Sequence, residues 1–147
     1  MRMPDTRTKA LWQFPAGWPR LSSAVIDTLT IGVVEDDPSF LRALGRLLAA
    51  AGFSVASFSS AEAFLASESA GAVSCLVLDV HLGGMSGFDL QQRLAAAGSP
   101  IPTIFITAHD DPITRERARA GVAYLRKPFR EDALMGAIQQ ALDGREA

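Results

Sequence analysis

Short apolar runs alternate along the chain with longer segments whose apolar residues recur at helical spacing. From position 29 onward, five runs of four to six mostly hydrophobic residues are typical of strands buried on both faces of a parallel sheet. They cover Leu29–Val34, Phe53–Phe58, Val73–Leu78, Pro102–Ile106 and Val122–Leu125. Strands that alternate with helices predict an α/β fold, a (βα)5 doubly wound, five-stranded parallel sheet of the flavodoxin-like type.

Polar residues and glycines mark the ends of the helices between these strands. Asp37, followed by Pro38, has the character of an N-cap, and Gly52 predicts the end of the first helix. The stretch from Ser59 to Glu62 fits a capping box that opens the second helix. The remaining helices are expected over residues 86–98, 112–120 and 131–142.

Charge is distributed unevenly over the 147 residues, of which 48% are hydrophobic and 20% charged, as in a globular domain. Residues 1–29 carry four basic and two acidic side chains, whereas residues 30–147 carry ten basic and fourteen acidic ones, a net charge of −4. Non-specific nucleic-acid binding needs a basic surface. We therefore expect no direct contact with nucleic acid.

Cysteine content and hydropathy exclude several other classes. Cys75 is the only cysteine, so neither a disulfide framework nor a cysteine metal site is available. No apolar stretch approaches the roughly 18 residues that a membrane span requires. The basic residues at positions 2, 7 and 9 are not followed by the apolar segment of a secretory signal. These features predict a cytoplasmic protein without membrane contact.

Residues 1–28 differ from the rest of the sequence. They contain both tryptophans and three of the eight prolines, and they show no sustained periodicity. We interpret them as an N-terminal extension, mostly irregular, outside a domain that spans residues 29–147. A start codon assigned too far upstream is the alternative.

Polar side chains stand at the carboxyl ends of four predicted strands. Glu35 and Asp36 follow the first strand, Asp79 the third, Thr107 the fourth and Lys127 the fifth. In open parallel sheets these ends meet at one edge, where ligands bind. Carboxylates that lie close together need a cation, and oxygen ligands favour Mg²⁺.

With Mg²⁺ bound, Asp79 could act as a nucleophile toward phosphorus and form an acyl phosphate. The metal and Lys127 would spread the charge on the phosphoryl oxygens, and Thr107 would donate a hydrogen bond to one of them. Each residue alone has a simpler explanation, such as a turn acid or a strand-end hydroxyl. Their joint occurrence at four strand ends favours a shared role in phosphoryl chemistry over these separate structural explanations.

Four segments resemble the response-regulator receiver domain of two-component signalling: VVEDD (33–37), LVLDVHLGGMSG (76–87), FITAH (105–109) and YLRKPF (124–129). The resemblance covers roughly residues 29–143. It implies that a histidine kinase or a histidine phosphotransfer protein donates the phosphoryl group of a phosphohistidine to Asp79. It also implies Mg²⁺ bound by Asp36, Asp79 and the backbone carbonyl of His81, with Glu35 acting through a water molecule.

The resemblance further implies a conformational switch. It assigns phosphoryl-binding or switch roles to Thr107, Lys127 and Tyr124, and supporting roles to Ala108, His109 and Pro128, whose preceding peptide bond is usually cis. Tyr124 would turn inward when the Thr107 hydroxyl moves toward the phosphoryl group. This would shift the face formed by the fourth helix, the fifth strand and the fifth helix. That face would bind an unknown downstream protein or form a homodimer.

Several positions depart from the family pattern. Gly83 stands where a proline is common, so we expect a more mobile loop after Asp79. His81 and His109 either tune dephosphorylation or are ordinary surface histidines. The fourth helix is expected to be short, and its arginines form either a solvent-exposed face or a contact surface for an acidic partner or a dimer; they are Arg115, Arg117 and Arg119.

The leading hypothesis is a stand-alone receiver that acts as a phosphorylation-dependent binding switch and not as an enzyme. One alternative is a receiver fragment of a longer helix-turn-helix transcription factor. Another is a phosphatase of the haloacid-dehalogenase type, which needs a second acid where this chain has His81. A flavodoxin-like nucleotide binder is the weakest, because the EDDP sequence after the first strand would repel a phosphate.

Overall fold

Five parallel strands form the centre of the computed structural model, which describes residues 29–146 apart from the side chains of Ser69, Arg145 and Glu146. The strands are β1 (Thr30–Val34), β2 (Ser54–Phe58), β3 (Cys75–Asp79), β4 (Thr103–Thr107) and β5 (Ala123–Arg126). They lie in the order β2-β1-β3-β4-β5. The extension assigned to residues 1–28 lies outside the described residues, and the domain boundary stays a prediction.

The helices are α1 (Pro38–Ala50), α2 (Ala61–Ala66), α3 (Gly87–Ala96), α4 (Pro112–Arg117) and α5 (Glu131–Glu146). Short 3₁₀ segments at Glu68–Ala72 and Ala118–Ala120 follow α2 and α4. The predicted (βα)5 doubly wound fold is confirmed, with strand boundaries displaced by one or two residues. The last helix continues past the predicted end at Leu142, and a 2.8 Å hydrogen bond from Gln139 to Asp143 spans the added turn.

Two of the three predicted helix-end signals are confirmed. The Asp37 carboxylate accepts hydrogen bonds from the backbone of Ser39 and Phe40 at the start of α1. Gly52, just after α1, has a φ of 103°, a left-handed conformation that glycine adopts without strain.

The capping box predicted from Ser59 to Glu62 is wrong. Ser60 is the N-cap of α2, and its hydroxyl accepts from the Ala63 N–H. The helix therefore begins one residue later than the box requires, so Glu62 does not reach back to the cap. Its carboxylate instead accepts a hydrogen bond from the Met85 N–H, which joins α2 to the β3–α3 loop.

Helices cover the sheet on both faces because strand side chains alternate between them. One core joins α1 and α5 to the sheet through Leu44, Leu48, Met135 and Ile138, among others. The other joins α2 and α3 to the opposite face through Phe64, Phe88 and Leu90. Within residues 29–146, no helix is both long and apolar enough to cross a membrane.

The sheet order places a topological switch point between β1 and β3. Strand β1 pairs with β2 on one side and with β3 on the other, so the helices that follow β1 and β3 pack on opposite faces. The connections leave a crevice at the carboxyl ends of these two strands, which is where ligands bind in such sheets. Glu35 follows β1 directly, and Asp79 is the last residue of β3.

Candidate functional site

Three carboxylates meet at this crevice. Val34 pairs with Leu78 across β1 and β3, and this register brings Glu35 beside Asp79. One oxygen from each of Glu35, Asp36 and Asp79 lies within 4.8 Å of the others. Glu35 and Asp79 are only 1% and 4% exposed, whereas Asp36 is open to solvent. The three predicted acids therefore do lie together, with Glu35 and Asp79 buried and Asp36 on the solvent side.

Lys127 supplies the positive charge of the site. Its ammonium lies 2.5 Å from Glu35 Oε1 and 3.1 Å from Asp79 Oδ2. Its backbone N–H donates to the Thr107 carbonyl at 2.7 Å, which continues the pairing of β4 with β5. The ammonium also lies 4.5 Å from the ring centre of Phe40, a contact that the sequence did not indicate. The Lys127–Pro128 peptide bond is cis.

The charges of the site do not balance without a further cation. If all three carboxylates are ionised, the one ammonium leaves a net charge of −2. Burial, together with the nearby Asp79, raises the pKa of Glu35 to about 7 despite the bond from Lys127. Burial alone would lower the pKa of Lys127, but its bonds to Glu35 and Asp79 outweigh this effect and raise it. A divalent cation would neutralise the cluster.

The donor set fits a hard divalent metal ion. Carboxylate oxygens are the ligands that Mg²⁺ prefers, and the exposed side at Asp36 leaves room for metal-bound waters. Within the described part of the chain, these three acids are the one such group of His, Cys, Asp or Glu residues with metal-binding spacing. The β3–α3 loop folds against the cluster, since the His81 N–H donates to Asp79 Oδ1 at 3.0 Å.

Thr107 lies at the end of β4 with its hydroxyl engaged by its own loop. The hydroxyl donates to the His109 carbonyl at 3.2 Å and accepts from the His109 N–H at 3.0 Å. The side chain is fully buried. Any bond from this hydroxyl to a group beside Asp79 would therefore replace its bond to the His109 carbonyl.

The two histidines lie together at the mouth of the site. The rings of His81 and His109 are stacked, with centres 5.0 Å apart and planes at 23°. Both histidines are exposed. Ala108, which precedes His109 and has a predicted supporting role, is exposed as well. The contact joins the loop after Asp79 to the loop after Thr107. The sequence predicted two histidines that either tune dephosphorylation or lie on the surface, but it did not predict that they touch.

Tyr124 is held by a polar network at the edge of the sheet. Its hydroxyl donates to Asp110 Oδ1 at 3.1 Å, and Asp110 also pairs with Arg115, whose terminal nitrogen lies 2.8 Å from each carboxylate oxygen. The bonds from Arg115 hold the pKa of Asp110 below its usual value. Arg115 therefore links α4 to the loop that precedes it and, through Asp110, to β5.

The other two arginines of this segment also have intramolecular contacts. Arg117 stacks 4.5 Å from the ring centre of Phe88, and Arg119 lies 3.7 Å from Glu116. All three arginines are exposed, as the solvent-exposed-face interpretation predicts. A role as a contact surface stays a prediction.

Gly87 is a residue of the site that the sequence analysis did not single out. A Cβ at this position would lie 2.3 Å from the Asp79 carbonyl oxygen, so α3 can begin against the end of β3 only with glycine there. The available signal was a glycine directly after an N-cap serine. That pattern reveals the start of a helix but not what the helix packs against.

Comparison with known proteins gives one family. Residues 31–139 match the family model of the response regulator receiver domain. Response regulator protein TmoT of Ectopseudomonas mendocina is 46% identical over 114 residues, which cover 76% of this chain and 52% of that protein. Nodulation protein W of Bradyrhizobium diazoefficiens is 41% identical over 134 residues, which cover 90% and 57%. The chain thus spans about half the length of the curated relatives it matches.

Solved structures agree with this result. The response regulator StyR has 42% sequence identity and a TM-score of 0.73 over 81% of this chain and 61% of that one. The structure of FixJ-N has 35% identity and a TM-score of 0.70 over 78% and 94%. Chemotaxis protein CheY4 of Vibrio cholerae, at 21% identity and a TM-score of 0.72, shares the fold.

Proposed function

Because the chain belongs to the response regulator receiver domain family, we propose that Asp79 is its phosphoacceptor, with Mg²⁺ as cofactor and a phosphohistidine as donor. The main support for this proposal is the position of Asp79. It lies at the carboxyl end of β3, close to two further acids and to Lys127. The donor would be a histidine kinase or a histidine phosphotransfer protein. We further propose that the protein acts in the cytoplasm, without contact to a membrane.

Asp36, Asp79 and the backbone carbonyl of His81 would hold the metal ion, with Glu35 acting through a water molecule. When bound, Mg²⁺ supplies positive charge that offsets the charge of the phosphoryl oxygens. Three carboxylates against a single ammonium support a divalent ion.

In the transfer, a carboxylate oxygen of Asp79 forms a bond to phosphorus, and the bond from phosphorus to the donor imidazole nitrogen breaks. The electron pair of that bond stays on the nitrogen, and the product is a mixed anhydride of aspartate and phosphate. Lys127 already lies 3.1 Å from Asp79 and would bind a phosphoryl oxygen. The buried Thr107 hydroxyl would bind another by leaving the His109 carbonyl.

This exchange supplies a physical basis for switching. Movement of Thr107 would displace the β4–α4 loop, which contains Asp110, the hydrogen-bond partner of Tyr124. The proposed result is a changed face formed by α4, β5 and α5, with Ala108, His109 and Pro128 as supporting residues. That face would bind a downstream protein or a second copy of the chain.

We propose two ways in which the changed α4–β5–α5 face could act. A receiver that binds a separate target is the first. The second is a receiver that controls a transcription factor, and it is favoured by relatives such as the transcriptional regulatory protein FixJ of Bradyrhizobium diazoefficiens, of which the match covers 56%. The family match supports a phosphoacceptor over a phosphatase or a nucleotide binder. Nucleic-acid contact by this domain itself is not proposed.

The test is phosphorylation by phosphoramidate, monitored as the mass of the intact protein. The expected result is the addition of one phosphoryl group in Mg²⁺ and none in excess EDTA or in the Asp79→Asn variant. Equal phosphorylation of the parent and of Asp79→Asn would overturn the proposal. Continuous turnover of small phosphate esters would favour the phosphatase.

A further inference from the structure

The loop from residue 80 to residue 86 is held mainly by carboxylates. Its buried members Val80 and Leu82 anchor it in the core, but His81 and the two glycines are exposed. Among the described residues, four carboxylates accept backbone hydrogen bonds from the loop. They are Asp79 from His81, Asp36 from Gly83, Glu62 from Met85 and Asp89 from Ser86.

Two of these four carboxylates are proposed metal ligands. Oxygens of Asp36 and Asp79 that coordinate a cation are less available to the Gly83 and His81 N–H groups, and the Gly83 bond is already long at 3.3 Å. Asp89 belongs to the capping box of α3 and bonds to the last residue before that helix. Glu62 is therefore the acid that holds the loop at Met85 from outside both the metal cluster and α3.

Glu62 is well placed for this role. It is the second residue of α2, a helix that is anchored in the core by the fully buried side chains of Ala61 and Phe64. Its Oε2 accepts from the Met85 N–H at 2.9 Å. A Cβ on Gly84, whose φ is 102°, would lie 2.9 Å from the same oxygen. The loop thus bends around the carboxylate at a position where only glycine fits.

We propose that Glu62 is a positioning residue for the metal site, which it serves by holding the Gly83–Gly84 turn so that the His81 carbonyl stays in place. This inference rests on the proposed Mg²⁺ site. The bond from Met85 also lowers the pKa of Glu62, which keeps the carboxylate ionised and a strong acceptor. A proline at position 83 would make the loop stiffer. In this chain the Glu62 side chain, which comes from a neighbouring helix, restrains the loop instead.

The experiment compares Mg²⁺ affinity of the unphosphorylated full chain by calorimetry. Glu62→Ala removes both the charge and the acceptor, Glu62→Gln removes the charge and keeps an acceptor, and Glu68→Ala removes an exposed acid from the adjoining 3₁₀ segment. Loss of a group that orients a ligand typically weakens metal binding about tenfold or more, so we expect about tenfold for Glu62→Ala and less than about twofold for the other two.

A second readout is hydrogen exchange of the Met85 amide, which should accelerate in Glu62→Ala and not in Glu68→Ala. Amide spectra confirm that each variant is folded. Unchanged Mg²⁺ affinity in Glu62→Ala, or equal weakening in Glu62→Gln and Glu62→Ala, would overturn the inference and leave the Mg²⁺ site intact. Absence of Mg²⁺ binding in the parent protein would instead overturn the proposed function.

Discussion

Lys127 shows at the residue scale how one side chain serves both stability and chemistry. It neutralises part of the charge of Glu35 and Asp79 while no phosphoryl group is present, and it would bind the phosphoryl oxygens afterwards. The sequence identified Lys127, Asp79 and Thr107 because strand ends converge whatever the rotamers are. It could not identify Phe40 as a partner of Lys127, or Asp110 as the partner of Tyr124, since these contacts depend on side-chain geometry.

Replacement of Lys127 should therefore destabilise the metal-free protein. In Lys127→Met, Glu35 and Asp79 are left buried without their counter-charge, and we expect a loss of about 3 kcal/mol in the free energy of unfolding. Urea denaturation in EDTA measures it. The double variant Glu35→Gln/Lys127→Met should recover part of the loss, because only Asp79 then stays buried without its counter-charge. A double variant no more stable than Lys127→Met would contradict this explanation.

At the scale of elements, the junction of β3 and α3 depends on one missing side chain. Gly87→Ala would place a methyl group 2.3 Å from the Asp79 carbonyl oxygen, which forces α3 away from the strand. We expect a loss of about 2–3 kcal/mol in urea denaturation. Gly83→Ala is the control, because its Cβ would meet nothing nearer than Asp36 at 4.0 Å. Equal stability of the two variants would show that the junction yields easily.

The connection from α4 to β5 can be followed through Tyr124, the only tyrosine of the sequence. Burial, and then the bond to Asp110, raises the pKa of Tyr124 above its ordinary value of 10.0. Since the folded pKa is the higher one, this contribution to stability is complete below pH 10 and is lost as the pH rises through the folded value.

Absorbance titration of the phenol measures this pKa directly. Asp110→Asn should lower the midpoint, because the carboxylate that opposes ionisation is gone, but not to 10.0, because burial remains. Asp132→Asn, an exposed acid paired with Arg130, should leave the midpoint unchanged. A midpoint that does not move in Asp110→Asn would mean that the Tyr124–Asp110 bond does not persist in solution.

Element boundaries show where sequence patterns suffice and where they fail. The N-cap at Asp37 was predictable because the Asp-Pro pair acts locally. The helix start at Ser60 was not, because two adjacent serines can each act as the N-cap, and Glu62 had a tertiary partner, Met85, which no local rule reveals.

At the scale of the whole molecule, the alternation of apolar runs and helical segments was enough to predict the fold. Five parallel strands that alternate with helices admit few arrangements, and the right-handed crossover rule selects among them. The strand order then creates the crevice and brings Glu35 within bonding distance of Lys127, 92 positions away. The site is thus a consequence of topology, whereas its fine geometry depends on packing.

Metal binding should consequently stabilise the entire domain. Cys75, the only cysteine, lies fully buried in β3, and burial raises its pKa to about 12, so a thiol reagent reaches it only when the fold opens. Mg²⁺ at ten times its dissociation constant should slow labelling about tenfold. Asp36→Asn should weaken this effect. A labelling rate that is independent of Mg²⁺ in the parent protein would contradict the linkage.

The most direct test of the phosphoacceptor is to map the modified residue. The protein is phosphorylated with phosphoramidate in Mg²⁺ and treated with sodium borohydride, which reduces an aspartyl phosphate to homoserine. Peptide mass spectrometry then locates the change. Homoserine at position 79 and at no other acidic position is the predicted result. Homoserine at Asp36 instead, or at no position in a protein shown to be phosphorylated, would contradict the assignment of Asp79.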